Sequence, residues 1–200
     1  INLVEKCYPS LIPHLSSCKS PQGMMGSLIK SHLSKRIGVS PEMLEVVSVM
    51  PCVAKKDEIA RPALSTTHSI NDKPVRIHDT DHVLTTRELA KLIKLARIPF
   101  NSLPETAYDD PFGASTGAAA LFGVTGGVLE AALRTVYEVV TGKEAAPLAF
   151  ADVRGLGIRE ATLDLAGTKI NVAICHGIAN THKLLQEVVA GTSKYHLIEI

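Results

Sequence analysis

The sequence predicts an α/β fold with largely parallel, helix-flanked strands, on three observations. Short β-branched runs and amphipathic stripes alternate along most of the chain. The mostly apolar run Val46-Val47-Ser48-Val49-Met50 stops at Pro51, the pattern of a buried strand feeding a loop. Several stripes carry helix start and stop residues, and in such folds ligands gather where strands end.

Taken in order, residues 2–15 carry a helical stripe of Leu3, Val4, Cys7, Leu11 and Ile12, broken at Pro9. Ser20 is a good N-cap, and Pro21 opens a helix that runs to Gly38. Ser40-Pro41-Glu42 is a turn before the strand at 46–50. Residues 57–80 read as a polar excursion with Pro62 and Pro74, and Val83-Leu84 as another short strand. Thr85 or Thr86 caps a helix over 87–97, with Glu88 early and Lys94 and Arg97 late. Residues 99–111 are irregular. A glycine-rich segment, 113–127, enters a long helix that ends at Gly142. Strands follow at 150–155, 161–165 and 169–175, the last two forming a hairpin around Ala166-Gly167. Gly177 leads a helix over 180–189, and residues 195–200 alternate as a final strand.

Two hundred residues bury roughly 70% of their unfolded surface, enough for a core without disulfides or zinc. A composition of 46% hydrophobic and 20% charged residues excludes disorder. A net charge of +1, 4% aromatics and no Trp argue against nucleic-acid binding. No apolar run approaches the ~20 residues needed to cross a bilayer. There is no secretory pattern and no initiator Met, and the ends read as a helix and a strand without polar tails, so an internal piece of a longer protein is expected. The four cysteines form no CxxC pair, which disfavours a zinc site or redox dithiol made within the segment.

The strongest chemical signal is Met50-Pro51-Cys52-Val53-Ala54-Lys55-Lys56-Asp57-Glu58, directly after a strand. A stiff turn with two lysines nearby favours the thiolate of Cys52 that metals and electrophiles require. A thiol at a strand end beside solvated lysines would leave the same pattern, and both readings stand at this point.

Met-Pro-Cys-x-x-Lys-x-x-Glu resembles the second signature of the iron-only (FeFe) hydrogenases. Residues 112–118 and 122–134 are similar to that family's glycine-rich segment, and 15–22, 85–90 and 153–155 fit in the family's order. The resemblance spans essentially the whole chain. It implies a partial catalytic domain over 1–200, with lobes at 1–110 and 111–200 and the active site between them. It also implies reversible reduction of protons to hydrogen with electrons from ferredoxin or another carrier, and dependence on maturation proteins. The setting would be cytoplasmic, or periplasmic as in some members, without a membrane or nucleic-acid partner.

The family's cofactor, the H-cluster, joins a 4Fe-4S cubane to a di-iron unit carrying CO and cyanide, held by four cysteines. By the match this chain retains Cys52 alone. A Cys-Cys-Pro motif precedes a segment like 1–4 in the family, and a cysteine-containing glycine motif follows one like 197–200. The segment alone is therefore expected to be inactive. Lys55 would face one cyanide and Ser20 the other. Pro21, Gln22, Met50, Phe122 and Gly123 would line the same cavity, and Ser16 matches a serine of the proton path. Taken singly these residues have ordinary explanations too: Ser20 as an N-cap, Met50 and Phe122 as core, Gln22 as an exposed first-turn residue. Glu58 reads as a hydrogen-bonding support. Cys7, Cys18 and Cys175 read as small core residues. His78 and His82 have helical metal-ligand spacing but lie in a loop entering a strand. Two other readings are a related iron–sulfur assembly or sensory protein lacking the di-iron unit, and a phosphate binder using 123–127 before a helix.

Overall fold

The computed structural model describes residues 1–153 and 157–200. The first elements are α1 (Asn2–Cys7), α2 (Pro21–Leu28), α3 (Ser34–Ile37), β1 (Val47–Met50), α4 (Ala54–Ile59), β2 (Ser65–Ile70), β3 (Lys73–His78), β4 (His82–Thr85) and α5 (Thr86–Leu95). They are followed by α6 (Ala118–Leu121), α7 (Gly127–Thr141), β5 (Ala151–Val153), β6 (Ile158–Leu165), β7 (Thr168–Cys175), α8 (Ile178–Val189) and β8 (Leu197–Glu199). The Arg154-Gly155 part of the 153–155 motif lies outside the described residues.

The chain divides into two units, Ser16–Gly113 and a second joining Ile1–Leu15 to Ala114–Ile200. Residues 1–15 do not belong with the stretch that follows them. Val4 and Leu11 are buried with Leu185 of α8, so burial of apolar surface assigns the first helix to the later unit.

In the Ser16–Gly113 unit, β1 pairs with β4 in parallel and β2 with β3 antiparallel. β1 is not the buried strand its composition suggests: Val47 is 52% and Val49 45% exposed. Gln22 of α2 bonds Ser48 on the opposite face of the strand, leaving the valine face bare. The 57–80 stretch holds α4 and a β-hairpin. Asn71 and Asp72 turn that hairpin at φ 50° and 61°, the left-handed backbone such two-residue loops need. Pro74 hid the hairpin, but a two-stranded ribbon is all edge and tolerates proline.

α2 begins as expected, with Ser20 Oγ accepting from Gly23 N at 3.2 Å and Pro21 in the first turn. The helix widens into a π-turn over Ile29–Leu33 before α3 stops at Gly38, φ 69°. Lys30 in that turn is 1% exposed, and its Nζ reaches Asp81 Oδ2 and Leu44 O, both at 2.7 Å. Lys19 Nζ, just before the helix, pairs with buried Asp79 Oδ2 at 2.6 Å. Between them Gly26 meets the 79–80 backbone: a Cβ there would overlap Asp79 O and lie 2.7 Å from Thr80 Oγ1.

In the other unit a four-stranded sheet has the order β5-β6-β7-β8. Its first two pairings are antiparallel and β7–β8 is parallel. Among the described residues parallel pairing is thus confined to β1–β4 and β7–β8, within a mixed α/β fold. β7 is covered on both faces: Val172 packs with Leu133 of α7, while Ala173 and Cys175 pack with Leu184 of α8. Cys175 is therefore core, as expected, but Cys7 and Cys18 are exposed, one closing α1 and the other in the extended turn before α2.

Gly26→Ala is expected to cost about 3 kcal/mol, because backbone rather than a movable side chain blocks the new methyl; chemical denaturation measures it. His68 provides a second test. It is 9% exposed, and its Nε2 has no hydrogen-bond partner among the described residues. Burial chiefly lowers its pKa below 6.5; Asp79 opposes this, while Lys30, Lys35 and Lys19 reinforce it. The unfolded chain therefore takes up the proton first. The His68 contribution is complete above about pH 6.5 and is lost as the pH falls below that. Melting curves at about pH 7.5 and 5.5 should differ less in His68→Asn than in the parent.

Candidate functional site

The parallel ladder sets Met50 opposite Thr85. After Met50 the chain leaves the sheet at Pro51, which has no N–H to extend it. It winds at once: Lys55 N donates to Cys52 O at 3.2 Å and Lys56 N to Val53 O at 3.0 Å. Cys52 thus sits on a tight strand-to-helix turn, exposed and free of disulfide.

α4 is fixed over this end of the ladder by charge. Lys56 Nζ bonds Glu88 Oε1 at 2.7 Å. The other oxygen, Glu88 Oε2, accepts from Thr85 N at 2.8 Å, while Thr85 Oγ1 accepts from Glu88 N at 3.1 Å, a complete capping box for α5. The Lys56 hydrogen bond first, and then those of Thr85, hold the Glu88 carboxyl down at about 2.

One turn into α4, Glu58 faces α2. Its Oε2 accepts from Lys55 Nζ at 2.6 Å and its Oε1 from Ser20 Oγ. The pair is mostly shielded, Lys55 being 24% and Glu58 16% exposed at the side chain. Two residues along α2, Gln22 is buried rather than exposed, at 6%. Its Oε1 accepts from Ser48 Oγ at 2.9 Å, and its Nε2 has no partner among the described residues. Ser48 and Met50 share one face of β1.

Ser20, Gln22, Met50, Cys52 and Lys55 therefore gather where α2, β1 and α4 meet. Pro21 lies there as the exposed first residue of α2. Ser16 is exposed, and its Oγ accepts from Cys18 N at 3.2 Å in a local turn. Phe122 and Gly123 belong to the other unit, directly after α6, with Phe122 42% exposed. Within that unit a Cβ on Gly123 would meet only Ala120 O at 3.6 Å, an ordinary contact.

One support was not singled out in the sequence, and another was legible there only in part. Ser48 orients Gln22 across the strand–helix gap, and its only signal was its place two residues before Met50. Glu58 serves both lysine and serine; its i,i+3 spacing from Lys55 was visible, but its bond to Ser20, 38 residues away, was not.

The phosphate reading of 123–127 is overturned. The N-terminus of α7 already holds an anion of the chain's own, with Glu199 accepting from Gly126 N at 3.2 Å and Leu129 N at 2.7 Å. The glycines answer to packing: a Cβ on Gly126 would strike Ile174, and one on Gly127 would overlap Leu121 O. His78 and His82 fall on separate strands, and His82 Nε2 lies 2.9 Å from Glu45 Oε2. No helix among the described residues is long and apolar enough to cross a membrane.

The donor set suits a metal centre with anionic outer ligands: an exposed thiol, a shielded ammonium, and a buried amide N–H₂ without a partner among the described residues. Comparison with known proteins bears on this. The family described as iron only hydrogenase large subunit, C-terminal domain, matches residues 1–200. The chain is 48% identical over 196 residues to the periplasmic Fe hydrogenase large subunit of Nitratidesulfovibrio vulgaris, covering 98% of this chain and 45% of that protein. It is 29% identical over 201 residues to the cytosolic Fe-S cluster assembly factor narfl of Xenopus tropicalis, covering 98% of this chain and 41% of that one. The fold matches an apo FeFe-hydrogenase HydA1 variant from Chlamydomonas reinhardtii with a TM-score of 0.78 and 36% identity, over 99% of this chain and 55% of that one. The chain thus spans less than half the length of these two curated relatives.

Ser48→Ala leaves the buried Gln22 amide with neither end paired. It should lower stability by about 1–2 kcal/mol in denaturant titration, with Ser48→Thr recovering part of the loss.

Proposed function

The chain belongs to the iron-only hydrogenase large-subunit family, and from that premise we propose that it is part of an oxidoreductase that reversibly reduces protons to hydrogen. Ferredoxin or a similar carrier would deliver the electrons. The observation that carries the reading is the convergence of Cys52, Lys55, Gln22 and Met50 at one strand end, where an amide donor is buried without a partner among the described residues. Cys52 would ligate the cubane of an H-cluster as a thiolate, Lys55 would direct an ammonium at a cyanide, and Ser20, Pro21, Gln22 and Met50 would line the pocket. Ser16 would take a place in proton delivery.

The H-cluster, when bound, supplies the redox chemistry and the iron at which hydrogen is made. The chain's own residues hold and tune it. A thiolate on a stiff turn is presented without having to be ordered on binding. The Lys55 side chain stands in a mostly shielded site, where a charge-assisted hydrogen bond to an anionic ligand is stronger than in water.

The second reading, an iron–sulfur assembly protein without the di-iron unit, is favoured by the likeness to the Xenopus factor. The ammonium and amide donors favour the hydrogenase, since a site without cyanide has no use for them. Hydrogen evolution from a reduced dye by the complete matured protein separates the two. Turnover is expected, and its absence in a protein carrying its full complement of iron would select the assembly reading.

In the complete protein, Cys52→Ser should abolish stable iron loading. Lys55→Asn should keep cubane iron but lose most of the di-iron unit, read as iron per chain and as the intensity of cyanide bands in the infrared. Residues 1–200 alone, reconstituted with iron, sulfide and di-iron precursor, should give no hydrogen above a protein-free control. One thiolate out of four does not hold a cubane against solvent.

A further inference from the structure

The protons at this site can be counted. Ser20 Oγ accepts from Gly23 N at 3.2 Å as the α2 cap, and its single proton goes to Glu58 Oε1. Ser20 thus has no donor left. Lys55 gives one of its three protons to Glu58 Oε2 at 2.6 Å and keeps two. A lysine ammonium on a four-carbon stem holds no fixed position unless a partner supplies one.

We propose that Glu58 is the positioning residue of this site. It fixes the Lys55 ammonium beside the Cys52 turn, and Ser20 is its anchor on α2 rather than a donor to a bound ligand. Glu58 is well placed for this. It is fastened from two helices that the sheet holds independently, so the direction of Lys55 is set by α2 as well as by α4. This reassigns the role that resemblance gave Ser20, and it leaves Lys55 and Gln22 Nε2 as the donors able to meet an anionic ligand. The positioning stands on the hydrogen bonds alone. Only the nature of the anionic ligand rests on the hydrogenase reading.

The test uses the complete protein in two arms. In the metal-free protein, peptide-resolved mass spectrometry follows acylation of Lys55 by an amine-reactive ester, with Lys56, held by Glu88, as the internal control of folding. Glu58→Gln should raise the Lys55 rate about threefold or more at unchanged Lys56 rate, Glu58→Asp should raise it less, and Ser20→Ala less than Glu58→Gln while lowering the melting temperature. In the matured protein, Glu58→Gln should shift a cyanide stretching band, and Ser20→Ala should shift it less. An unchanged Lys55 rate in Glu58→Gln, or a cyanide band that moves more in Ser20→Ala than in Glu58→Gln, overturns the proposal. A matured wild-type protein that evolves no hydrogen counts against the hydrogenase reading instead, and the acylation arm still decides the role of Glu58.

Discussion

Everything at the candidate site depends on how closely α2 approaches the 79–81 segment. Gly26 lets the helix backbone touch the Asp79 carbonyl, and the charges on either side are then forced out of water. Lys19 pairs with Asp79 and Lys30 with Asp81, and Asp81 also accepts from Val46 N at 2.8 Å, the residue that leads into β1. Such pairs add little net stability over an apolar contact, but breaking one strands a desolvated charge at a cost of about 3–5 kcal/mol. They act as a lock on position. With α2 locked, Ser20 and Gln22 stand beside the end of β1 and nowhere else.

A second lock holds α4. The Glu88 carboxylate joins Lys56 to the capping box of α5, and α5 grows directly out of β4, the partner of β1. The helix that carries Lys55 and Glu58 is too short to be stable by itself, and tertiary bonds supply what its length does not. The Cys52 turn is therefore tied at both ends, through Pro51 and the ladder on one side and through Lys56–Glu88 on the other.

The second unit solves a different problem with the same tools. Its glycine-rich segment lets α6 fold back on the start of α7 and lets Ile174 press against Gly126, while Glu199 from β8 neutralises the helix terminus. What reads in one dimension as a loop for a ligand is, in three, a seam between two helices and a strand. In the same unit Tyr195 donates to Glu160 at 2.7 Å beside Lys194, so the Glu160 carboxyl is held below its usual range by the Lys194 bond first and the Tyr195 bond second.

Local grammar was legible in the chain: the Ser20-Pro21 start, a threonine cap at 85 or 86, the Gly38 and Gly142 stops, the Ala166-Gly167 hairpin and the Cys52 motif, each set by neighbours within a few residues. It also carried the family, because the motifs recur in order along the chain. It masked the 65–78 hairpin, since polar composition with Pro62 and Pro74 reads as an excursion, and misread the burial of β1, Cys7 and Cys18, because composition does not say which face of a strand or helix finds a neighbour. The fold in space decides that Glu58 serves Ser20 and Lys55 together, that Ser48 orients Gln22, that Glu199 occupies the α7 terminus, and that the first fifteen residues pack with α8. The physical reason is common to all four. A hydrogen bond or a buried contact acts over a few ångströms of space and is indifferent to sequence distance, so partners from 26 residues apart, as Gln22 and Ser48, to 181, as Val4 and Leu185, leave no periodic trace in the chain that joins them.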